Sequence, residues 1–326
     1  VWITLGLAGA LPLYPQKIVF WGGRAEQLRE LQAAAPGATV VAGSQENAAA
    51  QLADADAIIE PPNGRIFALA PKLRWVQTNS AGIERFVGEL RNRPVTLTNC
   101  RIIQGPNIAD HAMALLLGLT REIPRAVTMM AREEWGRGEL RLVELNGKTA
   151  VIVGVGGIGM QIAQRAHAFG MTVIGVDPRD VPYTFFLKKV VRPDRLDEVL
   201  PQADVLFVAA PLTAETRGMI GERQFHLMKK DSFFIAVSRG GLYQTPALVK
   251  ALDSKHLAGA GLDVTDPEPL PKGHPLWKFD NVIITPHSAG GSDGVSARRM
   301  ELYKENLRRF VAGEPLLHIV DKEKGY

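Results

Sequence analysis

The chain has 326 residues, 46% apolar and 22% charged, a globular composition with length for about two domains at roughly 150 residues each. That composition excludes a disordered chain, a collagen and a coiled-coil rod, and one cysteine, Cys100, excludes an intramolecular disulfide framework and a cysteine-built zinc site. Thirty-eight basic against thirty-four acidic residues leave a net charge of +4, too thin an excess over this length to imply a nucleic-acid partner.

Residues 1–16 (VWITLGLAGALPLYPQ) carry no charge and fall short of the roughly 20 residues needed to span a bilayer. They read as an apolar arm packed on the body or on a second subunit, or as the remnant of an export leader. No other stretch resembles a membrane span or a targeting motif, so the expectation is a cytoplasmic protein with no membrane partner.

From Lys17 the apolar runs KIVFW (17–21), ATVVA (38–42), AIIE (57–60), LRWVQT (73–78) and VTLTN (95–99) predict buried strands, with helices over 24–34 and 45–53 between them. A long apolar helix over 108–120 follows, with Asn107 as its expected N-cap. The strand pattern then restarts with TAVIVGVG (149–156), MTVIGVD (171–177), DVLFVAAP (204–211), SFFIAVS (232–238), GAGLDV (259–264) and NVIITPH (281–287). Strands alternating with helices predict parallel sheets, and two successive modules predict two α/β domains. An amphipathic helix over 292–313 and a short tail remain. Too little chain is left for a third domain, so that helix is expected to return to the first module.

Gly154-Val155-Gly156-Gly157-Ile158-Gly159 directly follows the run Ala150-Val151-Ile152-Val153 and precedes a helix pattern over 160–169. A second strand then ends on Asp177. A lone G-x-G-x-x-G is weak in a chain with 32 glycines, but strand, turn, helix and acidic residue together form the dinucleotide signature. Gly154 permits the turn, Gly156 lets the backbone approach a pyrophosphate, and Gly159 allows the helix to pack on the strand. Unpaired N–H groups at the helix start favour the phosphate charge. Asp177 would accept hydrogen bonds from ribose hydroxyls, which favours NAD; Arg179 nearby keeps NADP open.

Three polar residues stand just beyond predicted strands of the second module: Arg239 after SFFIAVS, Glu268 in the loop after GAGLDV, and His287 after NVIITP. Open α/β sheets bind ligands at those carboxyl ends. Each alone has a plain reading as a surface Arg, a loop Glu or a satisfied His. Together they supply an anion clamp, a carboxylate and an imidazole.

The motifs LNGKTAVIVGVGGIG (145–159), AAPLTAETRGMI (209–220), AVSRGGL (236–242), GLDVTDPEP (261–269) and TPHSAG (285–290) resemble those of the D-isomer-specific 2-hydroxyacid dehydrogenases, in the same order and over nearly the whole chain. The resemblance implies two doubly wound parallel-sheet domains. A Rossmann cofactor domain, 101–288, is inserted into a flavodoxin-like substrate domain, 1–100 with 289–326. It implies an NAD-dependent oxidoreductase interconverting a D-2-hydroxy acid and its 2-oxo acid, with Arg239, Glu268 and His287 in the catalytic positions. His287 would be the general acid and base, and Arg239 would bind the substrate carboxylate and polarise the carbonyl. Cofactor contacts implied are Gly154, Gly156, Gly157, Ile158, Gly159, Asp177, Pro211, Thr216, Val237, Ser238, Asp263 and Ala289. Asp263 would orient the carboxamide. Asn79-Ser80-Ala81-Gly82 resembles the loop whose backbone holds the substrate carboxylate, through Ser80, Ala81 and Gly82.

His111 falls where the family has a Glu-His pair, here Asp110-His111, and reads as structural. Trp135 falls where relatives carry a Trp in the arm that packs against a second subunit; the resemblance implies a homodimer formed through the cofactor domain, with which the apolar helix over 108–120 is compatible. No metal is implied. Readings kept open are a nucleotide-sensing protein resembling the family's corepressors, and a dehydrogenase of a small anion of the formate or phosphite type.

Overall fold

Short β-branched runs bounded by Gly, Pro and Asn become parallel strands, and the segments between them become the helices that cover the sheets. The computed structural model describes residues 15–136 and 138–325. The expectations for 1–16 therefore fall almost wholly outside the described residues; Gln16 already opens the first strand. The chain divides into two compact units, one formed by the residues up to Ile103 and from Asp293 onward, the other Gln104–Ser292.

In the first unit, β1 (Gln16–Trp21), α1 (Ala25–Ala34), β2 (Ala38–Gly43), α2 (Ala48–Leu52), β3 (Ala57–Ile59), β4 (Trp75–Gln77), α3 (Glu84–Leu90) and β5 (Thr96–Thr98) build an all-parallel sheet in the order β2-β1-β3-β4-β5. That is the doubly wound order of flavodoxin-like folds, with its reversal between β1 and β3. Both faces are buried, as a parallel sheet requires. Ile18, Phe20, Ile59 and Trp75 pack on one side and Val19, Ile58 and Val76 on the other. Trp75 is fully buried, and its indole N–H donates to Thr98 Oγ1 at 2.8 Å. The helix expected over 45–53 shortens to α2, because the Asn47 side chain accepts from the Ser44 N–H (2.7 Å) and holds 44–47 in a turn.

The second unit runs α4 (Gly105–Thr120), α5 (Ile123–Ala131), β6 (Thr149–Val153), α6 (Gly157–Ala168), β7 (Thr172–Val176), β8 (Lys189–Val191), α7 (Leu196–Val199), β9 (Val205–Val208), α8 (Glu222–Leu227), β10 (Ser232–Ala236), α9 (Thr245–Asp253), β11 (Leu257–Leu262) and β12 (Val282–Ile284). Its strands lie in the order β12-β11-β10-β9-β6-β7-β8, again all parallel, so the winding reverses between β6 and β9. This extends the dinucleotide-binding order by one strand. The expected cap Asn107 is corrected: α4 starts three residues earlier than expected, with Gln104 at the N-cap and Pro106 in the first turn, where its missing N–H costs nothing. Asn107 instead donates from Nδ2 to the Ala289 carbonyl at 2.9 Å.

α10 (Val295–Ala312) closes the chain within the first unit and stops at Gly313, which takes the left-handed conformation (φ 70°) that suits glycine. Its Tyr303, Leu307 and Phe310 complete the core around Phe20 and Trp75. Among the described residues no helix is long and apolar enough to cross a membrane.

Candidate active site

β6 delivers the glycine turn to the switch point of the second sheet. Gly154 is left-handed (φ 89°), and a Cβ there would lie 2.5 Å from the Ala210 backbone, at the end of the adjoining β9 segment. A Cβ on Gly159 would lie 1.9 Å from the Gly154 carbonyl oxygen, so only glycine lets α6 seat on the turn. Gly156 differs: its nearest neighbour there is the Arg179 guanidinium at 3.5 Å. Two positions are closed by the protein itself and the third is open beside the N-terminus of a twelve-residue helix, α6, which begins at Gly157 and Ile158. That pattern fits a bound pyrophosphate.

Asp177 directly follows β7 and is buried. Its Oδ2 accepts from the Val155 N–H at 2.8 Å and Arg179 Nη2 at 3.2 Å; Oδ1 accepts from the Arg179 N–H and Nε, both at 3.0 Å. Burial works against the charged form, but the Arg179 side chain and the two backbone N–H groups outweigh it and hold this carboxyl below the usual range. Beyond Asp177 opens a cavity of about 390 Å³, lined by Arg179, Lys188, Lys189 and Arg192 with Asp180 as the opposing charge. Four cations against Asp177 and Asp180 favour an anionic group in this space.

The three polar residues leave adjacent strands β10, β11 and β12. His287 Nδ1 lies 2.6 Å from Glu268 Oε1, both side chains partly open to solvent. His287 is itself left-handed (φ 52°), uncommon for a residue with a Cβ, and its N–H donates to the Asp263 carbonyl at 2.9 Å. Asp263 is buried and anchors the loop that carries His287. Its Oδ1 accepts from the Thr285 hydroxyl (2.6 Å) and the Ser288 N–H (2.9 Å), and its Oδ2 from the Ala289 N–H (3.0 Å). Arg239 follows β10, its Nη1 donating to the Ser238 carbonyl at 2.7 Å. A Cβ on the next residue, Gly240, would lie 2.0 Å from the Thr265 carbonyl oxygen. The Arg239 turn therefore packs backbone to backbone against the loop bearing Glu268.

The other expected cofactor positions line the same strand ends. Ser238 Oγ donates to the Val208 carbonyl (3.2 Å), Val237 and Ala289 are buried, and Thr216 Oγ1 closes a turn onto the Pro211 carbonyl at 2.7 Å. In the first unit the turn after β4 is held by its carbonyls. Ser80 O accepts from the Cys100 N–H, Ala81 O from Asn99 Nδ2, and Gly82 O from Ser80 Oγ. Sequence reasoning passed over Thr285, which joins His111 Nε2 (2.8 Å) to Asp263. Its place two residues before His287 was the available signal.

The family model for the D-isomer specific 2-hydroxyacid dehydrogenase, NAD binding domain, matches residues 113–289. The glyoxylate reductase of Korarchaeum cryptofilum is 35% identical over 280 residues, covering 83% of this chain and 84% of its own. The D-3-phosphoglycerate dehydrogenase of Methanocaldococcus jannaschii is 33% identical over 77% of this chain, which spans about half (48%) of that relative's length. Among solved structures, a D-isomer specific 2-hydroxyacid dehydrogenase from Xanthobacter autotrophicus Py2, in complex with NADPH and MES, aligns with a TM-score of 0.82 at 28% identity, covering 96% of this chain and 100% of that one.

Proposed function

The chain belongs to the D-isomer-specific 2-hydroxyacid dehydrogenases, and on that footing we propose that it interconverts a D-2-hydroxy acid and its 2-oxo acid, with His287 as general acid and base. The observation that carries this reading is the 2.6 Å contact between His287 Nδ1 and Glu268 Oε1. With Nδ1 engaged by the carboxylate, Nε2 is left to exchange a proton with substrate. A bound nicotinamide nucleotide, NAD or NADP, would supply the hydride to the 2-oxo carbon. The π pair of the carbonyl then goes to oxygen, and His287 delivers the proton that makes it a hydroxyl; in the oxidative direction His287 takes that proton back. Glu268 holds the ring and supports its charge. Arg239 would pair with the substrate carboxylate and stabilise the developing oxyanion through its fork of donors. Ser80, Ala81 and Gly82 would hold the substrate carboxylate through peptide N–H groups.

The glycine turn and Asp177 would hold the pyrophosphate and the adenosine ribose, with Asp263 and Ala289 near the nicotinamide end. Asp177 supports NAD, and the cations around the neighbouring cavity support tolerance of NADP. The apolar side chains of α5, exposed at Ile123, Val127 and Met130, together with Trp135 (93% exposed), support a homodimer. Oxidation of NADH and NADPH with a panel of 2-oxo acids, scored for the configuration of the product, tests the activity. A D-hydroxy acid is expected. NADH binding without oxidation by any 2-oxo acid would reject the enzyme and leave a nucleotide sensor.

A further inference from the structure

The first sheet reverses its winding between β1 and β3, and open α/β sheets take ligands in the crevice outside the carboxyl ends at such a reversal. The residue that leaves β3 there is Glu60. Its backbone is left-handed (φ 55°), although it has a Cβ and precedes Pro61, a combination that ordinarily favours extended backbone. Such strain persists only where surrounding contacts fix it. Here the Glu60 N–H donates to the Gln77 carbonyl at 2.8 Å. Glu60 Oε1 accepts from the Tyr303 hydroxyl at 2.8 Å, and Oε2 from Asn79 Nδ2 at 3.3 Å.

Tyr303 is buried, and burial, with Cys100 and Glu60 beside it, pushes its phenol far above the usual range. The hydroxyl therefore stays protonated and donates, which fixes the carboxylate as the acceptor. Arg299 on the same helix acts on Tyr303 and Cys100, so this corner is not simply negative. What it offers is an oriented acceptor. Two protein donors use only part of the roughly four lone-pair positions of a carboxylate. Asn79 begins the turn 79–82, so Glu60 is one hydrogen bond away from the residues proposed to hold the substrate carboxylate.

We infer that Glu60 is a specificity residue that accepts a hydrogen bond from the substrate side chain, selecting 2-oxo acids that carry a hydroxyl or another donor on the third carbon. The inference rests on the proposed 2-oxo acid reduction. A methyl group in the same place leaves the carboxylate short of a partner, and a phosphorylated hydroxyl brings an anion against it. Tyr303 and Asn79 act through Glu60 as positioning residues.

The test compares kcat/KM for hydroxypyruvate, pyruvate and 3-phosphohydroxypyruvate. In the unaltered protein hydroxypyruvate should exceed pyruvate roughly ten- to hundredfold and should also exceed its phosphorylated form. Glu60→Leu should collapse the hydroxypyruvate-to-pyruvate ratio by about tenfold or more, and Glu60→Gln, which keeps one acceptor oxygen, should fall between. Thermal melting checks the fold of each variant. A ratio near one in the unaltered protein overturns the inference whether or not the variants fold. So does a ratio that Glu60→Leu leaves unchanged, or preferred turnover of the phosphorylated compound. Turnover of no 2-oxo acid at all, glyoxylate included, would instead sink the reaction and this inference with it.

Discussion

His287 and Glu268 meet at 2.6 Å although 19 residues and the whole of β12 separate them in the chain. Asp263 makes the meeting possible. Its buried carboxylate ties down Ser288 and Ala289, so the His287 loop is fixed from beneath while the imidazole remains accessible. Replacing His287 by Ala should lower kcat by about 10²–10⁴-fold, with NADH affinity nearly intact. Glu268→Gln should cost less, because its amide oxygen can still accept from Nδ1 and hold the ring in place. Arg239→Ala should damage both KM and kcat. Steady-state kinetics with a fluorescence titration of NADH separate these outcomes, and unaltered turnover in His287→Ala would reject its assignment.

The glycine turn yields a contrast between two neighbours. A Cβ at Gly159 collides with the Gly154 carbonyl at 1.9 Å, whereas one at Gly156 meets only the tip of Arg179 at 3.5 Å. Gly159→Ala should therefore destabilise the fold by about 1–3 kcal/mol or more, visible as a melting point lower by roughly 5 °C. Gly156→Ala should melt within about 2 °C of the unaltered protein and yet bind NADH about tenfold more weakly, if its methyl occupies the space proposed for the phosphate. Calorimetry and cofactor titration on the pair check both; an undiminished affinity in Gly156→Ala would place the nucleotide elsewhere.

Arg179 should decide how well NADPH is used. It grips Asp177 through both Nε and Nη2 and also faces the cation-lined cavity. Arg179→Ala should lower kcat/KM for NADPH about tenfold or more relative to NADH, the worth of one lost charge-assisted hydrogen bond. An unchanged ratio of the two cofactors would remove Arg179 from the adenosine end.

Much of this architecture was legible because β-branched runs announce buried parallel strands and glycine announces backbone that must approach closely. β8 escaped notice: Lys188, Lys189 and Arg192 around Val190 and Val191 make an edge strand look like a loop, the usual device for protecting an exposed edge. The catalytic candidates were visible through motifs, since each stands directly after a strand. Glu60 was not visible. As the last residue of the run AIIE, just before two prolines, it reads as no more than the end of a strand, and its partner Tyr303 is 243 residues away. Only the return of α10 to the first unit brings the two together, and nothing local in either segment encodes that.

Among the described residues of α5 none is buried, yet Ile123, Val127 and Met130 fall on one side at spacings of four and three. Such a stripe is costly to leave in water. If a second copy covers it, Val127→Glu combined with Met130→Glu should turn the dimer into a monomer in sedimentation velocity runs, without lowering the monomer's helix content. A native protein that sediments as a monomer would reject the interface.

His318 should make the first unit sensitive to mild acid. Burial, then the nearby charge of Arg101, depresses its pKa below the ordinary 6.5 against the opposing influence of an Asn99 hydrogen bond, and its Nδ1 is buried without a partner. The unfolded chain thus binds a proton near pH 6.5 that the folded chain refuses. The associated stability is fully present above that pH and is lost as pH falls toward the lower folded value. Because His318 sits in the left-handed region (φ 57°), asparagine is the replacement that tolerates its backbone. Melting curves between about pH 7 and about pH 5 should show His318→Asn losing less stability than the unaltered protein as acid is added. Parallel curves would mean that the histidine titrates alike in both states.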